Sequence, residues 1–278
     1  MAVSSGAPGS PLAIIAGAGQ FPFHVAREAR RQGRRVVAVG VQGWADPALA
    51  NEVEGYDEIP VGQLGRLLAR LKSWDVRQAV MAGKVTKAVL FGASSGFDPE
   101  LIGLLARVRE RSVNGLLGAI AQRLAKDGIE LLDSSALLTS SVCPVGVLTA
   151  RAPSGEELED IRIGTQAARQ LAALDIGQTV VVKSKVIVAV EALEGTDAAI
   201  RRAHELAGSG LVVVKATSPR QDRRFDLPVI GSDTLRTLQA CGVSCLAVEA
   251  ETTLLLEREA LLAQANAAGL CLVGQPVR

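Results

Sequence analysis

Aromatic side chains are scarce. Phe, Trp and Tyr make up 3% of the 278 residues, too little for the stacking platforms that bind single-stranded nucleic acid. Neither sign of charge dominates: 30 Lys and Arg against 29 Asp and Glu leave a net +1, so a bulk basic field for nucleic acid is missing too. The two histidines, His24 and His204, lie far apart, which excludes a His-rich zinc site or a two-His metallophosphoesterase centre. Cys143, Cys241, Cys245 and Cys271 are too few in a chain this long to be a disulfide framework; they read as small buried core residues. No Gly-x-Ser-x-Gly elbow and no Walker A sequence occurs, so nucleophilic-triad chemistry has no candidate. The apolar stretch over residues 136–150 is interrupted by Thr139, Ser140, Ser141, Pro144 and Gly146, and falls short of the roughly 20 residues that span a bilayer. Residues 1–10 have neither a basic start nor a long apolar run, unlike a secretory signal. The expectation is a cytoplasmic protein with no nucleic-acid partner.

Aliphatic side chains are abundant. Hydrophobic residues reach 48% with a mean hydropathy of +0.26, mostly Ala, Val, Leu and Ile, a composition suited to helices packed on buried parallel strands. Residues 12–16 read as a strand, 23–32 as a helix closed by Gly33, and 35–41 as a second strand. A helix over 64–73, a strand over 79–82, a helical Leu- and Ala-rich stretch over 101–126 and a short strand over 129–132 follow. Such alternation implies a doubly wound parallel sheet. The second half opens with a helix from Ser154 or Gly155 to about Leu174, with Glu156, Glu157 and Glu159 at its start, where acids suit the helix dipole. A hairpin over 179–182 and 186–190, a helix over 198–207 and a strand over 211–215 come next, then helices and strands alternate to Val273. The expected fold is α/β in two domains: residues 1–135 a Rossmann-like nucleotide-binding domain, 136–150 a linker, and 151–278 a catalytic domain with a mixed sheet.

Three polar motifs follow apolar strands. Gly17-Ala18-Gly19-Gln20-Phe21-Pro22 is a Gly-rich turn that either lets backbone N–H groups approach a phosphate or serves only as a tight turn. Pro22 stands at the third glycine position of a dinucleotide fingerprint, and Gln42 and Gly43 replace the ribose-binding acid, so a nicotinamide cofactor is not expected. Glu191-Ala192-Leu193-Glu194-Gly195-Thr196-Asp197 offers carboxylates for a hard divalent cation, or an N-cap at Thr196 or Asp197 for the next helix. Lys215-Ala216-Thr217-Ser218-Pro219-Arg220-Gln221-Asp222-Arg223-Arg224-Phe225-Asp226-Leu227-Pro228 is the richest polar segment. Lys215 and the arginines can neutralise phosphate oxygens, and Asp222 and Asp226 can ligate a metal or orient water. If extended, Asp222, Arg224 and Asp226 would share one face. The alternative for this stretch is a solvated charged loop; mixed charge after a buried strand favours a site.

Taken in this order, the motifs resemble those of the UDP-2,3-diacylglucosamine pyrophosphatases of lipid A biosynthesis, the LpxI type. The resemblance takes in Ile15 to Pro22, Gly62-Gln63-Leu64-Gly65, Met81-Ala82-Gly83-Lys84-Val85 and Gly146-Val147-Leu148-Thr149. Its most specific parts are residues 189–197 and 221–228. One departure is Ser112-Val113-Asn114-Gly115, where the family pattern has a Gly-Asp-Asp-like stretch. The resemblance implies a Mg2+-dependent hydrolase, with Mn2+ as an alternative ion, that cleaves the pyrophosphate of UDP-2,3-diacylglucosamine to UMP and 2,3-diacylglucosamine 1-phosphate (lipid X). It implies Asp226, Asp222, Glu194 and Asp197 around the metal and water. Lys215 and Arg224 would sit on phosphate oxygens. Gln221, Thr149 and Thr196 would be hydrogen-bond partners, and Gly17, Gly19, Gln20, Gly83 and Lys84 would meet the nucleotide half. A diacyl substrate further implies an apolar chamber in the interdomain cleft, reversible contact with the cytoplasmic face of the inner membrane, and leaves room for a homodimer. A non-catalytic lipid- or UDP-sugar-binding protein is the alternative.

Overall fold

The structure, a computed structural model, describes residues 9–85, 96–108, 113–218, 222–225 and 227–277. Ser112, Gln221 and Asp226 lie outside the described residues. The chain divides into two compact units: residues up to Thr139 joined by residues 222–225, and the remainder from Ser140 onward.

In the first unit, short β-branched and Ala-rich runs become strands, and amphipathic stretches become helices between them. The order is β1 (Leu12–Ala16), α1 (Phe21–Arg31), β2 (Val36–Val41), β3 (Gly55–Ile59), α2 (Leu64–Ser73), β4 (Gln78–Ala82), α3 (Pro99–Leu105), α4 (Val113–Lys126) and β5 (Glu130–Leu131). All pairings are parallel, in the order β3-β2-β1-β4-β5. The sheet is the expected Rossmann-like one, and its strand order reverses between β1 and β4. Strand β3, Gly-Tyr-Asp-Glu-Ile, escapes a sequence reading because it carries no apolar run. It is an edge strand with Ile59 its only buried residue, recruited by backbone pairing along β2. The single helix expected over 101–126 is two helices. Asp98 caps the first of them, accepting from Leu101 N at 2.8 Å, with Pro99 in the opening turn.

The second unit contains β6 (Gly146–Val147), α5 (Gly155–Ala173), β7 (Thr179–Lys183), β8 (Val186–Val190), α6 (Thr196–Ala207), β9 (Leu211–Lys215), β10 (Val229–Ile230), α7 (Ser232–Ala240), β11 (Val243–Glu249), β12 (Leu254–Leu255), α8 (Arg258–Ala267) and β13 (Cys271–Gln275). Its main sheet runs β6-β13-β11-β9-β7-β8, with β13, β11 and β9 parallel and the outer strands antiparallel. The expected mixed sheet is present. Side chains alternate along each strand. Val212, Val214, Cys245, Ala247 and Cys271 pack with Ile161 of α5, while Val213, Leu246, Val248 and Leu272 pack with Ile200, Leu235 and Leu261 of the helices opposite. Burial on both faces explains why these strands read as unbroken apolar runs.

Helix α5 sets the depth of one layer. A Cβ at its Gly164 would lie 2.5 Å from Val214 Cγ2 and 3.1 Å from Val182 Cγ2, so only glycine permits this approach to β9 and β7. All four cysteines are buried and free, in agreement with their reading as core residues. Among the described residues, no helix is long and apolar enough to cross a membrane.

Candidate active site

The register of the second sheet brings several polar residues to one end of it. Lys215 closes β9 and pairs with Val248 of β11 on one side and with Thr179 of β7 on the other. Glu249 therefore follows at the same end, and Glu191 leaves β8 there, its N–H donating to Thr179 O at 2.8 Å. Helix α6 begins here as well. Carboxyl ends of strands are where α/β sheets bind ligands.

Lys215, Thr196 and Glu191 form one network. The Lys215 ammonium donates to Thr196 Oγ1 at 3.0 Å, and that hydroxyl donates to Glu191 Oε1 at 3.0 Å. Thr179 Oγ1 lies 3.3 Å from Thr196 Oγ1, and Gln178 N donates to Glu191 Oε2 at 3.4 Å. Burial by itself would raise the Glu191 pKa, but the Lys215 charge and the donors from Thr179, Thr196 and Gln178 outweigh it and hold the carboxyl below its usual range. The approach of residue 178 depends on its neighbour, since a Cβ on Gly177 would fall 2.0 Å from Glu191 O. An ammonium on a hydroxyl partner beside the start of a helix is equipped to neutralise a phosphate.

The other acids of this motif are placed differently. Glu194 pairs with Arg202 at 2.7 Å and accepts Ala192 N at 3.2 Å, shaping its own loop. Asp197 sits in the first turn of α6, where a carboxylate suits the helix dipole. Gly195 precedes the helix as N-cap, with φ of 85°, so neither Thr196 nor Asp197 is the cap. Thr149 is buried; it donates to Arg151 O at 3.1 Å and accepts Leu272 N at 2.9 Å.

The segment 222–225 is a turn, not the extended strand that would line up alternate residues. Phe225 N donates to Asp222 O at 3.2 Å, and Arg224 N donates to Asp222 Oδ1 at 3.1 Å. Arg224 Nε reaches both oxygens of Asp222, at 2.9 and 3.1 Å. These bonds hold the Asp222 carboxyl below its usual range despite partial burial. Within the first unit, Arg223 pairs with Asp133 at 3.2 Å and donates to Ser135 Oγ at 3.1 Å, while Phe225 joins the apolar core.

The glycine turn of the first unit has a structural task. Gly17 N donates to Ala82 O at 2.8 Å, and Ala18 and Lys84 exchange backbone hydrogen bonds of 2.8 and 2.9 Å. The loops after β1 and β4 are thus tied together where the strand order reverses. A Cβ on Gly17 would lie 2.6 Å from Lys84 O, and one on Gly83 would lie 2.7 Å from Gly17 C. With the N–H groups of Gly17, Ala18 and Lys84 engaged, a phosphate contact here falls to Gly19, Gln20 and the opening turn of α1, which Pro22 deprives of one donor.

Among the described residues, no group of three or more His, Cys, Asp or Glu side chains could hold a metal ion. Mg2+ commonly keeps several waters and binds through one or two carboxylates plus substrate phosphates. The described acids therefore form no resident cage, and Asp226 lies outside the described residues.

Comparison with known proteins decides the family. Residues 11–141 match the LpxI N-terminal domain and residues 144–273 the LpxI C-terminal domain. This chain belongs to the LpxI family. It is 31% identical over 276 residues to a Caulobacter vibrioides protein named UDP-2,3-diacylglucosamine pyrophosphatase LpxI, covering 95% of this chain and 96% of that one. Solved structures are far more distant. A biotin carboxylase from Campylobacter jejuni aligns at 12% identity and TM-score 0.27 over 70% of this chain and 42% of its own. The biotin carboxylase domain of the Hydrogenobacter thermophilus 2-oxoglutarate carboxylase aligns at 14% and 0.26, over 70% and 41%. The chain thus spans about four-tenths of the length of these two carboxylases.

For this LpxI-family chain, the sequence reading selected Lys215 and Thr196, which the structure brings together, but passed over Glu191 as a site residue. The available signal was its position: of the acids in its motif, it alone directly follows the apolar strand. Glu249, the last residue of β11, carries the same positional signal and was also passed over.

Proposed function

We propose that this LpxI-family protein is a hydrolase that cleaves the pyrophosphate of UDP-2,3-diacylglucosamine, releasing UMP and 2,3-diacylglucosamine 1-phosphate for lipid A synthesis. The observation that carries the reading is the end-to-end match to a relative of that name. The Lys215–Thr196–Glu191 cluster supplies chemistry it needs. Water adds to one phosphorus, the bond from that phosphorus to the bridging oxygen breaks, and one proton of the water is released. Such a reaction asks chiefly for positioning and for neutralisation of charge on phosphate oxygens. Lys215 holds that charge, with Thr196 and Glu191 keeping the ammonium in place. Arg224 and Gln221 are further candidates for phosphate oxygens, and Gly19, Gln20 and Lys84 are candidates for the nucleotide half. Mg2+, or Mn2+, bound through Asp226 and Asp222 would neutralise the diphosphate. The acyl chains bring the protein to the cytoplasmic face of the inner membrane.

The test is to incubate the purified protein with UDP-2,3-diacylglucosamine in detergent and Mg2+. UMP and the acylated sugar phosphate should appear in equal amounts, EDTA should stop their formation, and Asp226→Ala should abolish it while the protein stays folded. Substrate binding without release of either product in Mg2+ or Mn2+ would replace the enzyme by a lipid- or UDP-sugar-binding protein.

A further inference from the structure

A buried carboxylate at the end of the central strand does more than fill space. Glu249 is 3% exposed, and each of its oxygens is engaged. Oε1 accepts Arg169 Nε at 2.7 Å. Oε2 accepts the backbone N–H of Thr217 at 2.7 Å and also the Thr217 hydroxyl. The β9–β11 ladder ends at the Lys215–Val248 pair, and Ala216 N turns to Gln178 O at 2.9 Å. The Glu249 side chain then provides the acceptor for the next N–H, at Thr217. Arg169 reaches it because Gly164 lets α5 lie close over β9. Thr217 stands two residues after Lys215 and five before Asp222.

We propose that Glu249 is a positioning residue for the hydrolysis. Backed by Arg169, it clamps Thr217 and so fixes the chain just past Lys215, the end of β9 that carries the ammonium. This role rests on the function proposed above. An apolar side chain would fill the site as well, but only a charged acceptor captures both donors of Thr217 while pairing with Arg169.

Two substitutions test it. Thr217→Val keeps the shape and the ion pair and removes the hydroxyl; Glu249→Gln keeps the size and removes the charge. Misplacement of a reacting group by a fraction of an ångström lowers turnover more than binding. Thr217→Val is therefore expected to lower kcat roughly fivefold or more, with KM within about twofold and the fold retained by circular dichroism. Thr217→Ser should restore most of the rate. Glu249→Gln should speed hydrogen exchange at the Thr217 amide. Folded Thr217→Val at the parental kcat, or unchanged exchange at that amide in Glu249→Gln, overturns the proposal. A parent protein that hydrolyses nothing overturns the functional reading and this role with it. A hydrolysing parent with an indifferent Thr217→Val overturns the positioning role alone.

Discussion

Replacing Glu157 by Gln removes a negative charge that several groups hold at the start of α5. Arg151 donates to both of its oxygens, at 2.7 and 2.9 Å. Ser154 N donates to Oε2 at 2.8 Å while Glu157 N donates back to Ser154 Oγ at 3.2 Å, which completes a capping box. The Arg151 guanidinium is the main reason that the Glu157 carboxyl titrates at about 2 instead of 4.5, with burial opposing it. Because the folded pKa is depressed, the unfolded chain binds more protons in acid. The stabilisation is complete above pH 4.5 and is lost as the pH falls towards 2. At about 1.36 kcal/mol per pH unit, the gap between these two values sets a ceiling of about 3 kcal/mol. The Arg151 side chain is 38% exposed, so solvent screening lowers the expectation to about 1–2 kcal/mol. Urea titrations of the parent and Glu157→Gln should differ by that amount at pH 7, and the difference should shrink as the pH is lowered from 4.5 to 2. Equal midpoints at pH 7, or a difference that widens on acidification, refute the reasoning.

Asp160, 4% exposed, accepts Ser184 N at 3.0 Å and Lys185 N at 2.6 Å, two residues with φ of 50° and 67°. Asp160→Ala should therefore cost about 1–3 kcal/mol by thermal unfolding and speed amide exchange at both positions. Gly17→Ala forces a Cβ against Lys84 O and should destabilise the first unit by about 1–3 kcal/mol; a neutral effect in denaturant titration would show that the β1 and β4 loops part freely. Lys215→Met should lower product release about a hundredfold or more with the fold intact by circular dichroism, and Lys215→Arg should recover part of it. In Lys215→Met the Glu191 carboxyl also loses the charge that offsets its burial. Its pKa should rise, so the midpoint of acid unfolding should move to higher pH.

Local signals were legible where a short stretch of chain settles its own conformation. The observed bounds of α5, Gly155–Ala173, follow from Ser154, Glu157 and a helical apolar pattern within one segment. Helix α2 and the strands β1, β7, β8 and β9 were readable because buried strands and amphipathic helices carry distinct periods. Strand β3 was hidden, since an edge position asks little of its side chains. The break between α3 and α4 was hidden too, because Leu and Ala continue on both sides of it.

The candidate site divides along the same line. Strand ends and the residue types near them were visible in sequence, and they led to Lys215 and Thr196, which do meet. Their shared partner Glu191 and the Arg169–Glu249–Thr217 clamp were not visible, because sheet register and the depth of α5 join residues far apart in the chain. The amino-acid sequence alone determined the family, the α/β class and the mixed second sheet, since these rest on local propensity and motif. Tertiary structure alone decided that Gly17 and Gly83 serve a backbone pairing, that Asp222 and Arg224 bind each other, and that Glu191 partners Lys215 through Thr196. Each of those outcomes depends on distances of 3 Å or so between groups, and only a folded chain sets such distances.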